Sequence, residues 1–194
     1  MTDPNAKAPK TPPHFQDSVA ARLSAAGHAD TSVQALLDLD AAIFQWHRMA
    51  MKGEVVGRLI AELGEKLELS QFYAMTAITR IEAGVGRSRP EPATVGLLAE
   101  ELSLDPSRAS RIATDLIAAG YVRREVAQDD GRKTVLVLTD RAKAVFDRFR
   151  DLKWGKLITI FAEWSEDDIQ SFSRLFDRYA QDVARVYRGL DTPE

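Results

Sequence analysis

Residues 94–139 read TVGLLAEELSLDPSRASRIATDLIAAGYVRREVAQDDGRKTVLVLT, and the order of signals inside this stretch decides the fold. Thr94 suits a helix N-cap, because its hydroxyl accepts from a first-turn amide that would otherwise lack a partner. Leu98, Ala99 and Leu102 then share one face of a short helix, and Ser103 and Leu104 make a short connection. Asp105 is a second favoured cap. Pro106 at the first helical position removes only an amide with no intrahelical acceptor. From Pro106 to Ala119 the residues Ala109, Ile112, Ala113, Leu116 and Ile117 recur at the spacing of one buried stripe. Gly120 stands where a left-handed cap is wanted. The period then changes to two. Tyr121–Val126 and Thr134–Leu138 are rich in β-formers, and Asp129-Asp130-Gly131-Arg132 between them has hairpin-turn chemistry. Two short helices joined by a tight turn and followed at once by a hairpin make a winged helix-turn-helix, spanning about Pro92 to Thr139.

Such a unit suits duplex DNA. Its second helix fits the major groove, with the N-terminal residues toward base edges and first-turn amides able to meet a phosphate. The outward positions on that helix are Ser107, Arg108, Ser110, Arg111, Thr114 and Asp115. Arginine contacts guanine in bidentate fashion, and Ser or Thr serve phosphates or base edges. The hairpin tip carries Arg132 and Lys133, suited to phosphates or a narrow minor groove. Arg123 and Arg124 alternate on a strand, so one faces DNA or Asp130 while the other is solvated, and the sequence does not choose between them. Arg87 and Arg89 fit phosphate contact and an ordinary loop equally well.

Working outward, the N-terminus carries Pro4, Pro9, Pro12 and Pro13 among small polar residues, so residues 1–30 read as a mobile tail. From Ser32 to Leu67 nearly everything suits helix, with a break near Lys52 because Gly53 and Gly57 disfavour a helix interior. Ser70 then reads as the cap of a helix bearing Phe72, Met75, Ile78 and Ile81 on one face, ended by Gly84 and Gly86. Beyond the hairpin, Thr139 caps a long helix to about Phe161. Ser165 with Glu166, Asp167 and Asp168 opens the last helix, whose stripe is Ile169, Phe172, Phe176, Tyr179 and Val183.

Composition bounds the function. The 194 residues are 45% hydrophobic with a formal net charge of −3, which taken alone argues against a nucleic-acid partner. Charge is segregated, however: acids crowd the chain after Glu163, while arginines cluster around the winged unit. The absence of cysteine excludes disulfides, thiolate metal sites and a thiol sensor. No secretory signal or membrane-length apolar run is present, so a cytoplasmic location and no membrane partner are expected. His14, His28 and His47 are far apart in sequence, and no metal site is expected. No nucleophile–base pair or glycine-rich phosphate loop stands out, so neither catalysis nor a cofactor is expected.

The residues also carry a family resemblance. Leu98 to Leu138, with the helices around it, resembles the MarR family of bacterial transcription regulators. The strongest match is the wing, where Asp130-x-Arg132, five residues, and then Leu138-Thr139 follow the family's D-x-R…L-T pattern. Leu104-Asp105-Pro106-Ser107-Arg108-Ala109-Ser110-Arg111, with Leu116 and Gly120-Tyr121-Val122, is similarly placed. Gly131 replaces the common second wing arginine, and Ala142 stands where the family usually has glycine. The resemblance implies a mainly α fold with a small β-hairpin wing (α+β), the winged helix-turn-helix being embedded in a helical dimerisation domain. It divides the chain into a tail (1–30), N-terminal dimerisation helices (31–90), the DNA-binding domain (91–138) and C-terminal dimerisation helices (139–190). It further implies a homodimer that binds a palindromic operator, often as a repressor. Arg132 would enter the minor groove, and Asp130 would brace it or a neighbouring arginine. Small aromatic or phenolic effectors often bind between the dimerisation helices and the winged unit of such proteins. Trp46, His47, Phe72, Met75 and Arg80 are the pocket residues this suggests, set against ordinary packing; Tyr73 and Trp154 invite the same reading. The other function class left open is a winged helix used for protein contact without specific DNA binding.

Overall fold

The computed structural model describes residues 13–127 and 133–188. They form eight helices and one two-stranded antiparallel sheet, and the chain parts into two compact units at Lys143.

The first unit begins with α1 (Pro13–Ala25), which packs on α2 (Asp30–Met51). A tail was expected over residues 1–30, yet helix starts at Pro13. The signal underweighted was the run DSVAARLSA, alanine-rich with Val19 and Leu23 four residues apart, following a proline at a position that tolerates it. Residues 1–12 lie outside the described set. The break near Lys52 is present: Gly53, at φ +64°, separates α2 from α3 (Glu54–Glu62).

α4 (Leu69–Ala83) buries Phe72, Met75, Ile78 and Ile81 as its spacing predicts. Its cap is Glu68 rather than Ser70, because Gln71 accepts from the Glu68 amide at 3.0 Å while the Ser70 hydroxyl only donates to Glu68. Gly84 ends the helix at φ +69°, where a Cβ would stand 2.7 Å from the Pro90 nitrogen, so both conformation and space demand glycine.

The winged unit follows as α5 (Val95–Glu101), α6 (Pro106–Ala118), β1 (Val122–Val126) and β2 (Thr134–Leu138). The strands pair from Val122↔Leu138 to Val126↔Thr134. Gly120 at φ +75° lets the Tyr121 amide return to the Leu116 carbonyl and close α6. The core holds Leu98, Ala113, Leu116, Tyr121 and Leu136, each 1% exposed or less, with α4 packed against α5, α6 and β2. Ala142, at the position where glycine was expected, buries its methyl completely.

α7 (Asp140–Phe161) starts in the first unit and continues into the second, which is completed by α8 (Glu166–Arg188). Ser165 caps α8, accepting from the Asp168 amide at 3.1 Å. Phe161, Trp164, Phe172 and Phe176 form an aromatic chain with neighbouring centroids 5.0–5.7 Å apart along Phe161–Trp164–Phe172–Phe176. An open groove of about 510 Å³ runs beside them, floored by Ile169, Phe172 and Phe176. The α8 stripe stays 36–49% exposed at Ile169, Phe172, Phe176, Tyr179 and Val183. No described helix is long and apolar enough to cross a membrane.

Candidate nucleic-acid interface

The turn between α5 and α6 is set by three local devices. Thr94 accepts from the Leu97 amide at 3.2 Å, and Asp105 accepts from the Arg108 amide at 2.9 Å. Between them Ser103 takes φ +52°, a left-handed conformation costing a serine on the order of 1 kcal/mol, so that the Leu104 amide reaches the Ala99 carbonyl at 2.9 Å. Ala109, Ile112, Ala113 and Leu116 lock the inner face of α6 into the core. The opposite face therefore has a fixed orientation. Ser107, Arg108, Arg111, Thr114 and Asp115 on it are exposed, and Ser110 is half-buried.

That face is not a bare arginine surface. The Arg108 amide first, and the Ser107 hydroxyl second, hold the Asp105 carboxyl below the usual carboxylate range. The N-terminus of α6 thus already contains an anionic acceptor, which occupies one of its first-turn amides. The Thr114 hydroxyl donates to the Ser110 carbonyl at 2.9 Å, leaving its oxygen lone pairs for a donor on a partner. Lys133 is exposed at the start of the second strand's approach. Asp130 and Arg132 lie outside the described residues, as does the whole turn from 128 to 132.

The other cationic candidates separate clearly. Arg87 points inward, its side chain only 12% exposed, and pairs with Glu101 at 3.1 Å and Glu100 at 3.6 Å. Arg80 meets the same Glu101 at 2.8 Å. The hydrogen bond from Arg80 is the main reason the Glu101 carboxyl sits below its ordinary value, with Arg87 adding to it. This clasp ties α4 and the following loop to the first helix of the winged unit. Arg89 instead stays at the surface. On β1, Arg123 is engaged by Glu125 at 2.6 Å, while Arg124 is exposed.

A second cluster was not foreseen from sequence. Arg141 lies 4.4 Å over the ring of Tyr121, donates to the Ala119 carbonyl at 2.6 Å and pairs with Glu65 at 3.1 Å. The Tyr121 hydroxyl donates to the same Glu65 oxygen at 3.0 Å. Burial first, and the Glu65 acceptor second, push the Tyr121 phenol up. The cluster joins the α3–α4 connection to the end of α6 and the start of α7. Its residues are 56 and 76 positions apart in sequence, so no local pattern exposes it.

The five suggested pocket residues fall into three environments. Trp46 (58% exposed) and His47 stand on the exposed side of α2, Phe72 and Met75 are core at 3% and 0% exposure, and the Arg80 guanidinium is held by Glu101. Neither the groove beside α8 nor a cleft beside the wing is lined by any of them.

Helix, left-handed turn, capped second helix and hairpin, with the polar face of the second helix outward, define the class: a winged helix-turn-helix protein. Comparison with known proteins narrows it. Residues 85–133 match the model of the MarR family. An uncharacterised HTH-type transcriptional regulator of Bacillus subtilis, YhjH, is 27% identical over 147 residues, which are 74% of this chain and 73% of that one. A MarR family protein from Bacillus stearothermophilus shares the fold at TM-score 0.59 and 16% identity, over 81% of this chain and 99% of that one. A variant of S. aureus MepR, solved bound to an oligodeoxyribonucleotide, shares it at TM-score 0.51 and 14% identity, over 74% and 96%. The winged segment is thus similar to the MarR family, and the chain shares its fold with MarR family structures.

Proposed function

We propose that this chain is a cytoplasmic, non-enzymatic repressor that binds a palindromic operator in duplex DNA as a homodimer. The observation that carries the reading is α6, whose apolar face is spent on the core while Arg108, Arg111 and the Ser and Thr residues beside them face outward. Arg108 and Arg111 are the base-reading groups, with Ser107, Ser110 and Thr114 as shorter polar contacts. Arg132, braced by Asp130, serves the minor groove, and Lys133 the adjoining backbone; these roles rest on the family resemblance and on the shape of the hairpin. The exposed stripe of α8 supports pairing of two copies, since apolar area this continuous is costly to leave in water. A small aromatic or phenolic effector would act by shifting the population between DNA-competent and incompetent wing separations.

Fluorescence anisotropy against duplex from upstream of the protein's own coding region tests the reading. Binding should weaken steeply with salt and exceed that of a shuffled duplex. Arg108→Ala and Arg111→Ala should each weaken it by about 5- to 150-fold, equivalent to about 1–3 kcal/mol per lost bidentate contact. No binding at low salt, or binding indifferent to sequence, overturns it; loss of a protein ligand alone in these variants favours the protein-contact reading.

A further inference from the structure

A cleft of about 450 Å³ lies in the first unit, lined by the ends of the two strands and the loop before α5 and by no residue of α6. Its walls come from the loop before α5 (Arg89, Pro90, Glu91), from the start of α5 and from the ends of the two strands, where Lys133 and Val135 line it. Two cations and one carboxylate face this space, a net charge of +1. Among the described residues neither Arg89 nor Lys133 takes part in an ion pair, whereas Arg87, two residues before Arg89, is committed to Glu100 and Glu101.

The loop's geometry separates these two arginines. Gly84 turns the chain left-handed against Pro90, and the Glu91 amide donates to the Ile81 carbonyl at 3.2 Å. The Leu136 amide donates to the Ala93 carbonyl at 2.7 Å, so the same loop is fastened to the second strand. One side of the cleft is thereby fastened to the other, and Arg89 and Lys133 line the same space.

We propose that Arg89 and Lys133 form a phosphate clamp that grips the backbone of duplex DNA flanking the wing. The inference rests on the reading that the chain binds duplex DNA. Phosphate is the chemistry recognised. A cleft of net charge +1 with proline, leucine and valine walls suits a phosphodiester monoanion whose sugar lies against apolar surface, and the clamp adds affinity without reading sequence. Glu91 on the rim disfavours a second phosphate in the same space.

The test measures affinity of the full chain for two unrelated duplexes between about 50 and 200 mM salt, for wild type, Arg89→Gln and Lys133→Gln. Each variant should lower the slope of log affinity against log salt by about one unit, alike on both duplexes. Over that fourfold rise in salt, wild type then loses about 3.5-fold more affinity than either variant. Thermal melting of each variant within a few degrees of wild type shows that the loss is not unfolding. An unchanged slope in Arg89→Gln overturns the clamp and leaves the operator reading standing. Weakening confined to one duplex overturns it too, because it assigns Arg89 to base reading. Inorganic phosphate at matched ionic strength supplies the other arm: stabilisation of wild type but not Arg89→Gln, with the DNA slope unchanged, makes the cleft a free-anion site and overturns the clamp. Failure of wild type to bind either duplex at low salt overturns both this inference and the function it rests on.

Discussion

α6 and α8 are both amphipathic helices, yet they end in opposite states. On α6 the apolar residues Ala109, Ile112, Ala113 and Leu116 are all buried to 9% exposure or less. On α8 the corresponding stripe of Ile169, Phe172, Phe176, Tyr179 and Val183 is at least 36% exposed throughout. The difference separates two kinds of incompleteness. The apolar requirement of α6 is met within the chain, and its polar outer face is left for the proposed DNA partner. α8 still lacks an apolar partner, which in the proposed homodimer a second copy of the same stripe would supply. Helix α2 shares that condition, with Leu36, Leu39, Phe44, Trp46 and Met49 all exposed.

Substitutions on the two helices should therefore have different readouts. Phe176→Ala should act on association. If half of the roughly 3–5 kcal/mol for truncating a buried Phe is lost at each copy, two copies lose about that much together and the dimer weakens by roughly 150- to 5,000-fold. Sedimentation at graded concentration reads this directly; a molar mass independent of the substitution would remove α8 from the interface. Leu116→Ala should act on folding instead, costing about 3 kcal/mol and lowering the melting temperature by roughly 6–12 °C. A wild-type melt in that variant would mean the inner face of α6 is not the core element described.

The smallest effect concerns the Glu101 clasp, which holds the winged unit on α4. Its carboxyl lies below the ordinary value when folded, so the stabilisation is fully present above the unfolded value and is lost as pH falls through the folded one. The melting advantage of wild type over Glu101→Gln should be present near about pH 6 and shrink toward about pH 3. Glu101 is near the surface and partly screened, so a difference of a degree or two is expected. An advantage that grows with acidification contradicts the clasp.

What sequence revealed and what it hid divide along the same line of local against distant. Both caps of the helix-turn-helix, the closing role of Gly120 and the buried stripe of α6 are local chemistry within a few residues, and each is legible from spacing. The family resemblance was legible from the wing motif and the recognition-helix stretch together. Arg87 and Arg89 looked equivalent, because only the folded placement of Glu100 and Glu101 on α5 gives Arg87 its carboxylate partners. Glu65, Tyr121 and Arg141 meet only once α3, α6 and α7 have folded, so no window of sequence contains them. α1 was missed for a different reason: four prolines set the reading of the whole N-terminus, although Pro13 stands at the start of α1, a position that tolerates it.

The central claim is that two copies, joined through their exposed apolar faces, present two α6 helices to one duplex. Hydroxyl-radical footprinting of wild type on the region upstream of its own coding sequence tests it most directly. The account predicts two equivalent protected patches related by a two-fold axis, with centres one helical turn, about 34 Å, apart or a multiple of it. A single unsymmetrical patch, or protection that follows no sequence at all, would contradict it.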